Sequence, residues 1–211
     1  MFFSSSNNII SGFIFNNSWS SIHYGNGREI WGAGPDLQLA LNDNSDIYNY
    51  VSLSSNYGKI KVKYIHGHLE GLNDGTNRFL NARGIEYSNK KTIILGVSET
   101  IIYSGINRQI DFGYFNPMSS HLEVELNNRL KVSGNANSNA VWQFHLDWFF
   151  NKNKRVSFNY LFDELVLDRD IEIGKEHGRA YSVRMSYSPI YLSKNLLTFY
   201  LKAILIGTPT F

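Results

Sequence analysis

Val141-Trp-Gln-Phe-His-Leu-Asp-Trp-Phe-Phe150 is followed by the polar run Asn151-Lys-Asn-Lys154 and then by Arg155-Val-Ser-Phe-Asn-Tyr-Leu-Phe-Asp163. In the first segment Trp142, Phe144, Leu146, Trp148 and Phe150 recur at every second position, and Gln143, His145 and Asp147 lie between them. In the second, Val156, Phe158, Tyr160 and Phe162 alternate with Ser157, Asn159 and Asp163. A period of two is that of a strand with one apolar and one polar face. The polar break between the two runs predicts an antiparallel hairpin with a tight turn.

The same period extends outward in both directions. Tyr181, Val183, Met185 and Tyr187 alternate with Ser182, Arg184, Ser186 and Ser188, and Leu197, Phe199, Leu201, Ala203 and Leu205 with Thr198, Tyr200, Lys202 and Ile204. Pro189 and Ser193-Lys-Asn195 predict a turn between them. Upstream, Ile60–Tyr64, Phe79–Ser88, Ile93–Val97 and Ile47–Ser54 read as strands, with Phe13–Phe15 and Trp19–Tyr24 as shorter candidates. About nine to eleven strands result, at the usual ~10 residues each. Short turns such as Asn56-Tyr-Gly58 and Ser88-Asn-Lys-Lys91 alternate with longer polar stretches, Lys131–Asn139 and Asp168–Gly178. Tight turns at one end and long loops at the other are the habit of outer-membrane barrels. No composition break divides the chain, so residues 1–211 are expected to form one β domain.

Composition narrows the function classes. Zero Cys among 211 residues excludes disulfide scaffolds, thiolate metal sites and Cys nucleophiles. A formal net charge of +2 argues against a nucleic-acid binder. No apolar run reaches the ~18 residues of a membrane helix. A membrane β-barrel escapes that test, because only alternate residues meet lipid. The 13 Tyr, 14 Phe and 4 Trp suit such a barrel and exclude a disordered chain. A water-soluble sandwich or lipocalin-like barrel alternates as well, with the apolar face inward. The Gln, His, Asp, Ser and Arg of the polar faces suit a wet lumen better than a Lys- and Glu-rich exterior. Trp142, Trp148–Phe150, Tyr187 and Tyr191 resemble interfacial aromatic girdles. The start, Met1–Asn17, has no basic region, and its apolar pieces are split by Ser and Asn, so it does not read as a signal peptide.

The segment Asn77–Pro117, NRFLNARGIEYSNKKTIILGVSETIIYSGINRQIDFGYFNP, resembles the Wzi-like capsule assembly family of bacterial outer-membrane β-barrels. The family pattern "N-R-F-L-x-x-R-R-I-E-Y" followed by "G-x-S-E-x-x-I-Y-x-G…R…Y-x-N-P" falls on Asn77, Arg78, Phe79, Leu80, Arg83, Ile85, Glu86 and Tyr87. It continues on Gly96, Ser98, Glu99, Ile102, Tyr103, Gly105, Arg108, Tyr114, Asn116 and Pro117. Gly84 stands where the family commonly has a second Arg. Trp31-Gly-Ala-Gly34, Leu39-Ala-Leu-Asn-Asp43 and Tyr64-Ile-His-Gly-His-Leu69 resemble upstream family segments, and the likeness runs from Ile22 to Asp168. It implies a monomeric outer-membrane protein that helps assemble or retain capsular or extracellular polysaccharide, as a lectin-like attachment factor without enzymatic activity or cofactor. Family barrels have about eighteen strands, within the range known for such proteins. At about half that size the chain is expected to be part of a larger barrel. The alternative function is a porin-like channel or a barrel component of a surface or gliding apparatus.

The charged members of the resemblance, Arg78, Arg83, Glu86, Glu99 and Arg108, are the candidate site. They would contact anionic sugar, or brace a lumen through internal ion pairs. Strand parity places Arg83 and Glu86 on opposite faces and gives Glu99 the parity of Ile93, Leu95 and Val97. An Arg facing lipid at mid-bilayer costs ~2–4 kcal/mol. A bulge near Gly96–Glu99 or a strand end there is therefore expected, or Glu99 lies beyond the apolar band. His66 and His68 could ligate a metal but have no third ligand at metal spacing, so they read as polar strand residues. Asp111, Asp163, Glu164, Asp168 and Asp170 form no evident glycosidase pair. Gly25-Asn-Gly27 and Trp31-Gly-Ala-Gly34 read as turns rather than phosphate loops. The Lys59, Lys61, Lys63 comb reads as a solvated face or as an attractor of anionic polymer in a lumen.

Overall fold

A computed structural model describes residues 8–36, 38–71, 73–116, 119, 137–163, 178–192 and 195–207. His121, Glu164, Asp168, Asp170 and Pro117, and most of the 131–139 and 168–178 stretches, lie outside the described residues. Ten strands form one antiparallel sheet in chain order. They are β1 (Asn8–Asn16), β2 (Ser20–Arg28), β3 (Tyr48–Tyr57), β4 (Ile60–Gly71), β5 (Thr76–Ser88), β6 (Ile93–Ile106), β7 (Asn137–Asn151), β8 (Lys154–Asp163), β9 (Arg179–Leu192) and β10 (Asn195–Gly207). The protein is thus an all-β meander, and among the described residues β1 and β10 are the outermost strands, paired on one side only.

The meander sorts its connections by length. At one end lie the short turns after β1, β3, β5 and β7, and the step from β9 to β10. Asparagine shapes three of them. Asn17 Oδ1 accepts hydrogen bonds from the Trp19 and Ser20 amides at 2.9 and 2.7 Å. Asn89 Oδ1 serves the Lys91, Thr92 and Ile93 amides, and Asn151 Oδ1 the Asn153 amide. Each side chain replaces a backbone acceptor and closes its turn locally. The long connections after β2, β6 and β8 all lie at the other end, with the short turn between β4 and β5.

Two sequence expectations need correction. β9 does not turn at Pro189 but runs on to Leu192, and the β9–β10 register shifts between Leu197 and Phe199. A local irregularity absorbs the missing N–H of proline, so the strand need not end. Nor does β6 bulge or end near Glu99. Its pairing with β5 and β7 is continuous from Ile93 to Ile106.

The two faces differ in kind. One carries Ile60, Ile85, Tyr87, Val97, Trp148 and Met185 in adjoining positions, and Ile85, Trp148 and Met185 are 51%, 44% and 52% exposed. The other carries Ser52, Lys61, Lys63, Gln143, Asn159 and Ser182, all buried. This inverts the water-soluble arrangement. Burial on the polar face comes from residues 29–41, which fold back across it between β2 and β3. Trp31 and Leu41 form a bridge there and pack with Tyr48, Tyr50, Ile65, Leu80 and Ala82. A second cluster, Phe79, Ile101, Tyr103, Tyr114 and Ala140, lies on the apolar face, where the chain after β6 folds down. There Phe112–Phe115 make a 3-10 turn capped by Asp111, whose side chain accepts from the Gly113 amide.

Candidate functional site

The polar face is built to hold the backbone of residues 29–41. Gln143 on β7 is fully buried. Its Oε1 accepts from the Leu39 and Ala40 amides at 3.2 and 3.1 Å, and its Nε2 donates to the Trp31 carbonyl at 3.0 Å. Asn159, its neighbour on β8, takes the Ala33 amide on Oδ1 at 2.7 Å and donates from Nδ2 to the Ala33 carbonyl at 2.9 Å. A segment without regular structure has unserved donors and acceptors alike, and a side-chain amide supplies both. Close approach requires glycine at 32 and 34, where φ is +140° and +79°. A Cβ on Gly32 would lie 2.8 Å from Asn159 Oδ1 and from Gln143 Nε2.

Charge fastens the same segment. Glu29 Oε2 lies 2.6 Å from Lys63 Nζ, both fully or nearly buried. Glu86 Oε1 receives the Trp31 indole N–H at 3.0 Å and His145 Nε2 at 3.1 Å, and Lys61 Nζ stands 3.9 Å from its Oε2. A carboxylate only accepts, so His145 carries its proton on Nε2. Asp147 receives Arg155 in a two-pronged contact at 2.9 and 2.7 Å, Ser157 Oγ at 2.5 Å and the Gly34 amide at 3.4 Å. At the far side Asp36 meets Arg184 and Lys202. Partial burial works against the charge on Asp36, but the hydrogen bonds and charges of Arg184 and Lys202 outweigh it and hold the carboxyl below its ordinary value.

The apolar face carries the other polar cluster. Arg83 and Glu99 are direct cross-strand partners, with Nε and Nη2 both 2.7 Å from Glu99 Oε2. Arg83 Nη1 donates to the Asn116 carbonyl at 3.0 Å, and Tyr64 Oη and Asn81 Nδ2 both donate to the Tyr114 carbonyl at 2.9 Å. The Tyr114 ring stacks on Tyr103 at 4.6 Å. Residues 111–116 therefore roof a charged pair on the face that elsewhere exposes Ile85, Val97, Trp148 and Met185. On β5 and β6 the exposed apolar residues of this face stop at Ile85 and Val97, one step short of Arg83 and Glu99, whereas in the same row on β1–β3 Phe15, Ile22 and Leu53 are exposed. Glu99 is thus buried by the roof without any bulge, and strand charges here do not all share the polar face.

The structure therefore does not unite the five sequence candidates. Arg83 and Glu99 meet under the roof, and Glu86 lies on the opposite face with Lys61 and His145. Arg108 sits after β6, its Nη1 donating to the Ser104 carbonyl and its guanidinium 4.8 Å from the Tyr103 ring centroid. Arg78 is half-buried, across from Ser104 and Glu70. At Gly84 a Cβ would lie 2.2 Å from the Val97 carbonyl, so the second arginine of the resemblance could enter only if the strands shifted. His66 is buried against Phe115 at 4.4 Å while His68 is exposed, and no metal-binding group of three or more His, Asp or Glu occurs among the described residues. Lys61 and Lys63 are neither solvated nor open to a polymer; both are buried against carboxylates. Sequence reading missed Glu29, Gln143 and Asn159 as anchors. Their available signal was the glycine pair at 32 and 34, opposite strands whose polar face carries amides.

No protein-family model, curated protein or solved structure matches this chain.

Proposed function

We propose that this chain forms the wall of a Wzi-like bacterial outer-membrane β-barrel that holds capsular or extracellular polysaccharide at the cell surface and does not turn it over. The observation that carries the reading is the inversion of the two faces. In water, ten strands with exposed Ile, Val, Trp and Met on one face and buried Lys, Glu, Gln and Asn on the other would be unstable; in lipid the same arrangement buries both faces correctly. The likeness of Asn77–Pro117 to the capsule assembly family supplies the polysaccharide.

The charged pairs near the sheet act as braces in this reading, because each carboxylate has its cation within 4 Å. Sugar contact then falls to the long connections at the far end. Aromatic and Asn or Asp side chains would stack on and hydrogen-bond the sugar, and Arg or Lys would pair with uronic acids, in many weak contacts. The test is the amount of cell-bound polysaccharide after deletion of the gene. It is expected to fall, with polymer released to the medium, and an unchanged amount would sink the reading. In planar bilayers the protein is expected to be nearly silent, because residues 29–41 cross the polar face; steady conductance would favour a porin-like channel.

A further inference from the structure

Five lysines crowd the short-turn end of the sheet. Lys59 follows Gly58 after β3, Lys90 and Lys91 occupy the turn after β5, and Lys152 and Lys154 flank Asn153 after β7. All five are exposed, and none has a carboxylate partner among the described residues. No Asp or Glu occurs in residues 16–20, 56–60, 88–93, 150–155 or 188–196. The opposite end carries both signs, Asp43, Asp46, Asp74, Asp111 and Asp163 together with Arg28, Arg78, Arg108 and Arg179. The short turns are thus of one sign, whereas the long-connection end mixes both.

Next to the lysines, on the apolar face, stand the exposed rings of Tyr57, Tyr87, Trp148, Phe150 and Tyr187. Trp148 and Phe150 stack at 4.0 Å, and Lys154 Nζ sits 5.3 Å from the Tyr187 ring centroid. A groove of about 390 Å³ opens beside them, lined by Lys154, Val156, Met185, Tyr187, Phe199 and Leu201 among others. A groove of apolar and aromatic side chains with ammonium groups beside it matches an acyl chain, its ester region and a phosphate. Lysine suits the phosphate, as a compact point charge on a flexible stem.

We infer that this rim binds an anionic phospholipid, with Lys154 on the phosphate, the other four lysines drawing neighbouring headgroups, and the groove taking the first part of an acyl chain. The inference rests on reading the apolar face as lipid-facing. It places the lysine-bearing short turns at a leaflet of anionic phospholipid, and the end of mixed charge away from it.

The test uses the full chain with vesicles of phosphatidylcholine alone and vesicles doped with phosphatidylglycerol, either lipid carrying brominated acyl chains that quench indole fluorescence. Brominated phosphatidylglycerol is expected to quench more strongly than brominated phosphatidylcholine. Lys154→Gln should lower that preference about fivefold, the contribution of one lysine at an anionic surface. Changing all five lysines to Gln should abolish it, and changing all five to Arg should preserve it. Added salt should weaken it, and inorganic phosphate should not compete. Equal quenching by the two lipids, or a preference untouched in the five-Gln chain, overturns the inference while leaving the membrane reading in place. Competition by inorganic phosphate also overturns it, by reassigning the site to a free anion. Association with neither vesicle overturns both readings.

Discussion

Residues 29–41 and residues 107–116 both leave the sheet and fold back over polar strand side chains, but on opposite faces and by different chemistry. The first segment lies on the polar face and is held through its donors and its acceptors, by the amides of Gln143 and Asn159 and by ion pairs at Glu29 and Asp36. The second lies on the apolar face, where strand side chains chiefly address its carbonyls, from Asn77, Tyr64, Asn81 and Arg83, with the Asp111 amide donating to Tyr103 Oη at 3.4 Å and ring stacking beside them. The sheet supplies the anchoring side chains in both cases. The difference is what each segment protects. On the polar face the segment itself needs partners. On the apolar face the sheet needs cover, because Arg83 and Glu99 would otherwise meet the medium that Ile85 and Val97 meet.

Substitutions can break this contrast. Arg83→Ala should have the largest effect, about 3–5 kcal/mol, because it leaves Glu99 buried without its partner. The double change Arg83→Leu with Glu99→Leu should restore most of that loss, and urea midpoints of the three chains compare them. If the single and double changes cost the same, the roof protects no charge. Gln143→Ala on the polar face should cost about 1–3 kcal/mol, through the unserved Leu39 and Ala40 amides and Trp31 carbonyl. It should also make residues 29–41 sensitive to protease and add open events to the planar-bilayer record.

Smaller changes sharpen the contrast. Gly32→Ala should cost about 1–2 kcal/mol, from its positive φ and from displacement of the Asn159 and Gln143 side chains. Its effect should vanish in a Gln143→Ala background if both act only through the same segment. The weakest anchor is Asp36, a half-exposed pair worth about 0–1 kcal/mol. Its folded pKa lies below the ordinary 3.8. The contribution is therefore complete above that value and is lost as pH falls through the lowered one. Limited proteolysis of residues 29–41 should quicken in that acid range, and Asp36→Asn should remove the pH dependence.

Much of the fold was legible because strand period and turn chemistry are local. The alternation of Trp142–Phe150 and Val156–Phe162 marks β7 and β8, and Asn151 marks their turn. Even the opposition of Arg83 and Glu86 follows from counting by twos. Pro189 misled for the same reason: locally it stops a strand, while in the sheet an irregularity opposite Thr198 accommodates it. The candidate site was far less legible. Glu99 was expected to need a bulge because nothing near it in sequence could cover it. Its cover arrives from Tyr114–Asn116, held by hydrogen bonds from β4 and β5. Gln143 and Trp31 are 112 residues apart in the chain and bonded in space.

By itself the sequence determined the all-β class, the approximate strand number, the antiparallel order and the face each strand residue takes. All of these follow from a two-residue period and from turns closed within a few residues. Only the tertiary structure decided which polar residues are anchors and which charges belong to which face's cover. Those outcomes depend on where two irregular segments land, and an irregular segment has no period to read. It settles wherever its backbone donors and acceptors find partners, and that is known only once all the strands stand side by side.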